Sequence, residues 1–457
     1  MVAANPLDLA RMGAGELAQA VAARHVSALE VCDSAIARIE AGDAAINAVV
    51  VRDFERARDQ ARAADAALAR GERRPLLGVP ITVKESFDIA GLPTTWGFDF
   101  ALKLPVTEDA VAVARLKAAG AVILGKTNCA FALADWQTSN PVYGSTANPL
   151  ALSRTPGGSS GGSAAALAAG FVPLELGSDL AGSIRIPAHC CGLFGHKPSH
   201  GVLAQRGMRF PGHEGAYENP IGVIGPLARN ASDLSLALDV LLGPDPGEAV
   251  AWRVVLPAPR HARVEDLRVL VVAEHPAAQA SNEVRAALHS TADALARAGA
   301  TVHSASPLLP DLMALTRALG SMVSAFVTQG QPGPTISAHA WLALLDEQAR
   351  MRAQCARLFE VFDVVLMPVF GTVAFPRFDE PDFAQRTLRI DGIDTPYSAQ
   401  GSWSAFASFA GLPATVVPVV CDGGGLPTGV QIVGPYLHDR STLAVAEWLE
   451  AQRCPRE

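Results

Sequence analysis

The sequence predicts an α/β protein, one domain in which a many-stranded sheet is covered by helices. Three observations carry that expectation. Short apolar stretches alternate with helical repeats from one end of the chain to the other; one stretch reads as strand, helix and strand in succession; and no Gly/Ser linker, charge block or internal repeat divides the chain. The chain has 457 residues, 49% of them apolar and 18% charged, enough for a large core. That composition excludes disorder, collagen-like repeats and a small disulfide scaffold.

Taken in order, Ser27-Ala28-Leu29-Glu30 forms a capping box that Val26 and Val31 can staple, and Leu29, Cys32, Ile36 and Ile39 recur at helical spacing until Gly42. The Ala/Arg-rich stretch Phe54–Arg70, closed by Gly71, is a second helix. After Pro75 the period becomes two: Val79, Ile81 and Val83 fall on one side and Thr82 and Lys84 on the other, so Lys84 ends an apolar strand. Val111–Ala119 reads as a helix and Ala121–Leu124 as a short buried strand. Between Thr138 and Gly201 the chain is dominated by Gly, Ser, Pro and Asn, and helical periodicity is confined to Ser163–Ala169; a tract of that kind inside a compact protein predicts a site built from backbone. Asn230 can cap a helix carrying Leu234, Leu238 and Leu241 up to Gly243. Leu267–Ala273, the helix marked by Val284, Leu288 and Leu295, and Ala300–His303 form a βαβ unit. Val364–Met367, Thr415–Val420 and Gly429–Val433 are later strands.

Charge and cysteine usage narrow the function. Lys plus Arg number 37 against 45 Asp plus Glu, a formal charge of −8, and no basic cluster with interleaved aromatics appears, so nucleic acid is not an expected partner. The seven cysteines (Cys32, Cys129, Cys190, Cys191, Cys355, Cys421, Cys454) are scattered without a C-x-x-C pair, which fits a reducing compartment. Met1 to Gly15 has no basic segment followed by an apolar one, and apolar runs stop well short of ~18 residues, so a soluble cytoplasmic protein with no membrane contact is expected.

Several motifs match on paper and fail on context. Gly120-Ala121-Val122-Ile123-Leu124-Gly125-Lys126-Thr127 fits the P-loop pattern, but its middle residues are the predicted strand, not a loop free to wrap phosphates. Gly157-Gly158-Ser159-Ser160-Gly161 fits G-x-S-x-G, yet Ser153-Arg154-Thr155-Pro156 precedes it where a nucleophile elbow needs an apolar strand; an α/β-hydrolase-type esterase would also need a later His as base. None of the 11 His forms H-E-x-x-H, and Pro198 separates His196 from His200, so no metal and no cofactor are expected. Adjacent Cys190 and Cys191 read as small core residues.

Three features converge instead: Lys84 at the end of its strand, the loop Gly157–Ser163, and the loop Gly177–Pro187. A serine hydroxyl is not acidic near neutral pH, so a nucleophilic serine needs a neighbour that takes its proton. Lysine serves when burial disfavours its ammonium form. The small residues before Ser183 let the backbone N–H groups of Leu180, Ala181, Gly182 and Ser183 face one space, where an oxyanion could form.

These residues closely resemble the amidase signature family. Gly157–Ser163 matches G-G-S-S-G-G-[SA], Gly177–Pro187 matches G-[ST]-D-x-[GA]-G-S-I-R-x-P, and Gly78–Glu85 is similar to the lysine strand G-V-P-[IL]-x-[VI]-K-[DE]. The 24-residue spacing of Ser159 and Ser183 fits as well, and the likeness continues through Ser139–Pro141, Cys191–Pro198, Gly225–Arg229 and Gly429–Gly434. The resemblance implies a mixed, twisted sheet with helices on both faces, in a single amidase domain over residues 1–457: a helical part (1–75), the motif-bearing core (76–230) and an α/β part completing the sheet (231–457). It also implies a Ser-Ser-Lys triad. Ser183 would be the nucleophile, Ser159, with a cis peptide bond to Gly158, the bridge, and Lys84 the base and acid. The loop of Leu133, Asp135 and Trp136 would flank the acyl pocket. Two positions depart from the pattern: Ala181 where Gly is common, tolerable if its φ is negative, and Ser178 where Thr is frequent.

The activity implied is hydrolysis of a small carboxylic amide by a stand-alone enzyme, with a small-molecule amide as the partner; a homodimer is common in similar proteins. The competing role is that of the glutamine-amidase component of a glutamyl-tRNA(Gln) amidotransferase. That component usually carries K-D-N after the lysine strand and Gln before the proline of the nucleophile loop, where this chain has Lys84-Glu85-Ser86 and Ile186-Pro187. A catalytically dead binding protein is disfavoured because all three triad positions are filled.

Overall fold

The computed structural model describes residues 8–213, 218–327, 335–419 and 425–452. Among them, eleven strands join into one sheet: β1 (Val49–Arg52), β2 (Pro80–Lys84), β3 (Val122–Thr127), β4 (Leu174–Asp179), β5 (Phe194–Lys197), β6 (Val223–Ala228), β7 (Arg268–Val271), β8 (Thr301–His303), β9 (Val364–Pro368), β10 (Ala414–Val419) and β11 (Thr428–Val433). Their order across the sheet is β1-β3-β2-β4-β6-β5-β10-β11-β9-β7-β8. Parallel pairing links β3, β2 and β4 at one end and β9, β7 and β8 at the other, while the middle is antiparallel. The sheet is therefore mixed, as expected.

Helices cover both faces. Alternation along β7 and β9 makes this visible: Val269, Val271, Val364 and Leu366 enter one apolar cluster, and Leu270, Val365 and Met367 enter the other. β2, β3, β4, β6 and β9 are buried along their whole length, the mark of strands sandwiched between two helical layers. No helix among the described residues is long and apolar enough to cross a membrane.

Local signals held where chemistry was explicit. Ser27 Oγ accepts the Glu30 N–H at 3.1 Å while Glu30 Oε2 accepts the Ser27 N–H at 2.8 Å, starting the helix Ala28–Gly42. Asn230 Oδ1 accepts the Asp233 N–H at 2.7 Å and opens Ala231–Leu241. The βαβ unit is β7, the helix Asn282–Arg297 and β8, with parallel pairing. The strand expected over Thr415–Val420 is β10; Val420, Cys421 and Cys454 lie outside the described residues. Four strands, β1, β4, β5 and β6, fall where no strand was expected. β4 reads Leu-Glu-Leu-Gly-Ser-Asp and is buried on both faces, so polar residues occupy core positions and no alternation is left to see. β5 (Phe-Gly-His-Lys) is buried throughout in the same way.

β4 lies between β2 and β6, and its Leu176 is 1% exposed in the core. Leu176→Ala should lower unfolding free energy by ~2–5 kcal/mol, read as an earlier denaturant midpoint.

Candidate active site

Lys84 terminates β2 in the sheet interior, fully buried. Its Nζ lies 2.7 Å from Ser159 Oγ and 2.9 Å from Ser178 Oγ, both of which accept from it. No carboxylate of the described residues lies within ion-pair distance of this amine. Burial pushes its pKa from the ordinary 10.5 down to about 8, against smaller opposing contributions from Cys129, Asp179 and Glu85.

Ser159 is held by the turn that enters the helix Gly161–Ala168. The Gly158–Ser159 peptide is cis, as the resemblance implies, and the Ser159 carbonyl accepts the Ala130 N–H at 3.2 Å. A Cβ on Gly158 would stand 2.6 Å from the Asp135 carbonyl oxygen and 2.7 Å from that of Gln137, so only glycine lets the two loops close together.

The second loop follows β4. Ser160 N–H donates to the Ser183 carbonyl at 3.2 Å, which fixes the Ser183 backbone beside the Ser159 turn. No hydrogen bond joins the Ser183 hydroxyl to Ser159 among the described residues; the Lys84–Ser159 arm of the expected relay is closed and the Ser159–Ser183 arm is open. What sets the shape of this loop is a carboxylate to which the motif alone gives no role. Asp179 Oδ1 accepts the Gly182 N–H at 2.8 Å, and Oδ2 accepts the N–H groups of Ile184 at 3.1 Å and Arg185 at 3.3 Å. The Arg185 guanidinium closes the clamp with Nε and Nη2 each 2.9 Å from Asp179 and Nη2 2.7 Å from Ser408 Oγ. Both charges are buried. Burial alone would raise the Asp179 pKa; Arg185 overrides it and holds the carboxyl at about 2.

The clamp engages one of the four N–H groups expected to face an oxyanion. Gly182 does not have a free N–H to offer an oxyanion, because Asp179 has taken it. The N–H groups of Leu180, Ala181 and Ser183 make no hydrogen bond among the described residues. Gly182 instead supplies the positive φ of +105°, where a Cβ would stand 2.6 Å from Ile186 Cδ1, and Ala181 is spared that conformation.

Leu133, Asp135 and Trp136 lie on the loop packed against both serine turns. Trp136 Nε1–H donates to the Ala181 carbonyl at 3.0 Å. Asp135 is engaged by Arg386 Nη1 at 2.6 Å and by the Tyr397 hydroxyl at 2.9 Å. Leu133 is half-buried with φ of +59°, at the end of the turn Phe131–Leu133. Of the motifs set aside earlier, Val122–Thr127 is indeed strand β3, and Lys126 Nζ is spent on the Pro93 carbonyl and the Thr94 hydroxyl. Cys190 and Cys191 are buried, and burial pushes both thiols up.

Comparison with known proteins identifies what the chain and its fold are similar to. The Amidase family model matches residues 30–333 and 315–443. The amidase-named AmiB2 protein of Mycobacterium tuberculosis is 36% identical over 487 aligned positions, covering 98% of each chain. The glutamyl-tRNA(Gln) amidotransferase chain of Acidothermus cellulolyticus is 34% identical, covering 97% of this chain and 95% of its own. An inhibitor-bound structure bearing on the origins of an s-triazine catabolic enzyme superposes with a TM-score of 0.83 at 32% identity, covering 96% of this chain and 98% of that one.

The Asp179–Arg185 clamp makes its own prediction. Asp179→Asn leaves a buried guanidinium without its countercharge, and should cost ~3–5 kcal/mol of stability together with most of any turnover. A denaturation midpoint equal to that of the unmutated protein would contradict it.

Proposed function

The chain belongs to the amidase signature family, and we propose that within it this protein is a stand-alone amidase that cleaves a small carboxylic amide to the acid and ammonia or an amine. The observation that carries the reading is the buried Lys84 amine, 2.7 Å from Ser159 Oγ and without a carboxylate partner. An amine in that setting gives up its proton near pH 8, so it can act as a base while remaining a competent acid for the reverse step.

Each step then has an owner. Ser183 Oγ attacks the amide carbon, passing its proton to Ser159 Oγ as Ser159 passes its own to Lys84 Nζ. The carbonyl oxygen, now an alkoxide, is met by the N–H groups of Leu180, Ala181 and Ser183, which the Asp179 clamp leaves unengaged. As the C–N bond breaks, Lys84 returns the proton through Ser159 to the leaving nitrogen. Water then attacks the Ser183 ester by the same relay, releasing the acid. Leu133 and Trp136 are the apolar wall beside the acyl group. Asp135, held by Arg386 and Tyr397, stiffens that wall more than it offers itself to substrate.

A second reading, the glutamine-amidase component of a glutamyl-tRNA(Gln) amidotransferase, has the 34% identity to the Acidothermus protein in its favour. Against it stands Ile186, whose buried side chain packs on Gly182 where that component usually carries a glutamine. Glutaminase activity appearing only with partner subunits would reverse the ranking.

Ser183→Ala should abolish covalent labelling by a fluorophosphonate and lower turnover of a simple amide by ~10⁴-fold or more, and Lys84→Ala should suppress cleavage strongly. Labelling that survives in Ser183→Ala would refute the assignment. Because the neutral amine is the active form, kcat/KM should rise as pH increases toward about 8, the value to which burial lowers Lys84. A rate independent of pH between ~6 and ~9 would remove Lys84 as the base.

A further inference from the structure

A second buried ionisable side chain lies in the same part of the sheet and has no step in the chemistry above. Glu175, on β4, is 1% exposed and stands opposite Thr82 of β2 in the strand register. Its Oε1 accepts from the Thr82 hydroxyl and its Oε2 from Thr127 Oγ1 of β3 at 3.4 Å. Ser163 Oγ, on the helix that follows the Ser159 turn, lies 2.9 Å from Thr127 Oγ1 and extends the chain of hydroxyls. Two hydroxyls from two strands thus meet on one carboxyl, and a third, from the helix, joins them through Thr127. These are the elements that carry the relay: Thr82 is two residues before Lys84 on the same side of β2, Thr127 is Lys84's partner on β3, and Ser163 follows Ser159 by one helical turn.

We propose that Glu175 is a positioning residue for amide hydrolysis, an uncharged acid that locks the Lys84 strand to the Ser159 helix through these hydroxyls. The proposal rests on the assignment of Lys84 and Ser159 to the relay. Its chemistry follows from what surrounds the carboxyl. β2 presents Thr82 and, beyond it, Lys84; β3 presents Thr127, while Lys126 is engaged elsewhere by Pro93 and Thr94; β6 places Leu227 opposite; and the helix Gly161–Ala168 carries no titratable residue. With no cation paired to it, the carboxyl is favoured in its protonated form, and burial raises its pKa from 4.5 to about 8. The hydroxyls that donate to the carboxyl oppose this effect of burial without overriding it, and ionisation places a charge in dry surroundings. It also stabilises the ammonium form of Lys84 next along the strand, so both effects lower activity as pH rises further.

The unmutated enzyme should therefore show activity that rises and then falls with pH, the fall beginning above about 8. Glu175→Gln keeps a neutral hydrogen-bonding group of the same size, and should retain kcat within about threefold at neutral pH while losing the alkaline fall. Glu175→Leu cannot hold the hydroxyls and should lower kcat by about tenfold or more with KM little changed, at unaltered circular dichroism. No alkaline fall in the unmutated enzyme, the same fall in Glu175→Gln, or full kcat in Glu175→Leu would overturn the proposal. Should the Gln variant not fold, infrared titration of the unmutated protein decides: a protonated carboxyl band persisting at pH 7 is expected, and its absence overturns the role. Fluorophosphonate labelling that still depends on Ser183 shows in each case that the nucleophile assignment stands independently.

Discussion

The constraint on which the site depends is the desolvation of one amine. Lys84 sits at the end of a strand buried on both faces, and its hydrogen bonds go to two hydroxyls, Ser159 and Ser178. Pairing with a carboxylate would have fixed the ammonium and removed the base; exposure to water would have done the same. The layered architecture supplies the dryness, because covering both sides of β2 takes two helical layers. The Gly-rich turns supply the hydroxyls by bringing backbone to within touching distance of the sheet.

Burial alone does not set Lys84 apart from two other lysines; the base role proposed for it rests on its partners. Lys126 is equally buried and its pKa is likewise lowered to about 8, yet its amine is taken by the Pro93 carbonyl and the Thr94 hydroxyl. Lys197 is lowered to about 7 by burial, with Arg185 adding to the effect, and bonds to the Pro198 carbonyl at 2.8 Å. Each of these amines braces a piece of backbone. Lys84 differs in what it faces: a serine on a turn packed against a second serine turn.

The strand of Lys84 and the two serine turns were legible in the sequence because their chemistry is written in residue type: period-two alternation up to Lys84, and runs of Gly and Ser that nothing but a close backbone approach explains. Legibility was lower wherever an element is buried on both faces. β4 showed no periodicity since Glu175, Ser178 and Asp179 are core residues there, and the partners that make them tolerable lie far away in sequence or in the folded turn beyond. Asp179 and Arg185 were both visible in the second motif, yet the five hydrogen bonds between that carboxylate and Gly182, Ile184 and Arg185 are a property of the folded turn. The engagement of the Gly182 N–H by Asp179 has the same origin. Spacing says that consecutive N–H groups are near one another but not which of them a neighbouring acid has already claimed.

The Trp136 indole, which donates to the Ala181 carbonyl, has a bearing on any effort to redesign this protein. In the proposed mechanism one side chain would both wall the cleft and tether the turn that carries Ser183. Exchanging it for a smaller residue to admit bulkier compounds would slacken the turn at the same moment. On that mechanism selectivity and speed would be coupled at this position, and a library that enlarges the cleft would do better to begin at Leu133, whose side chain carries no such tether.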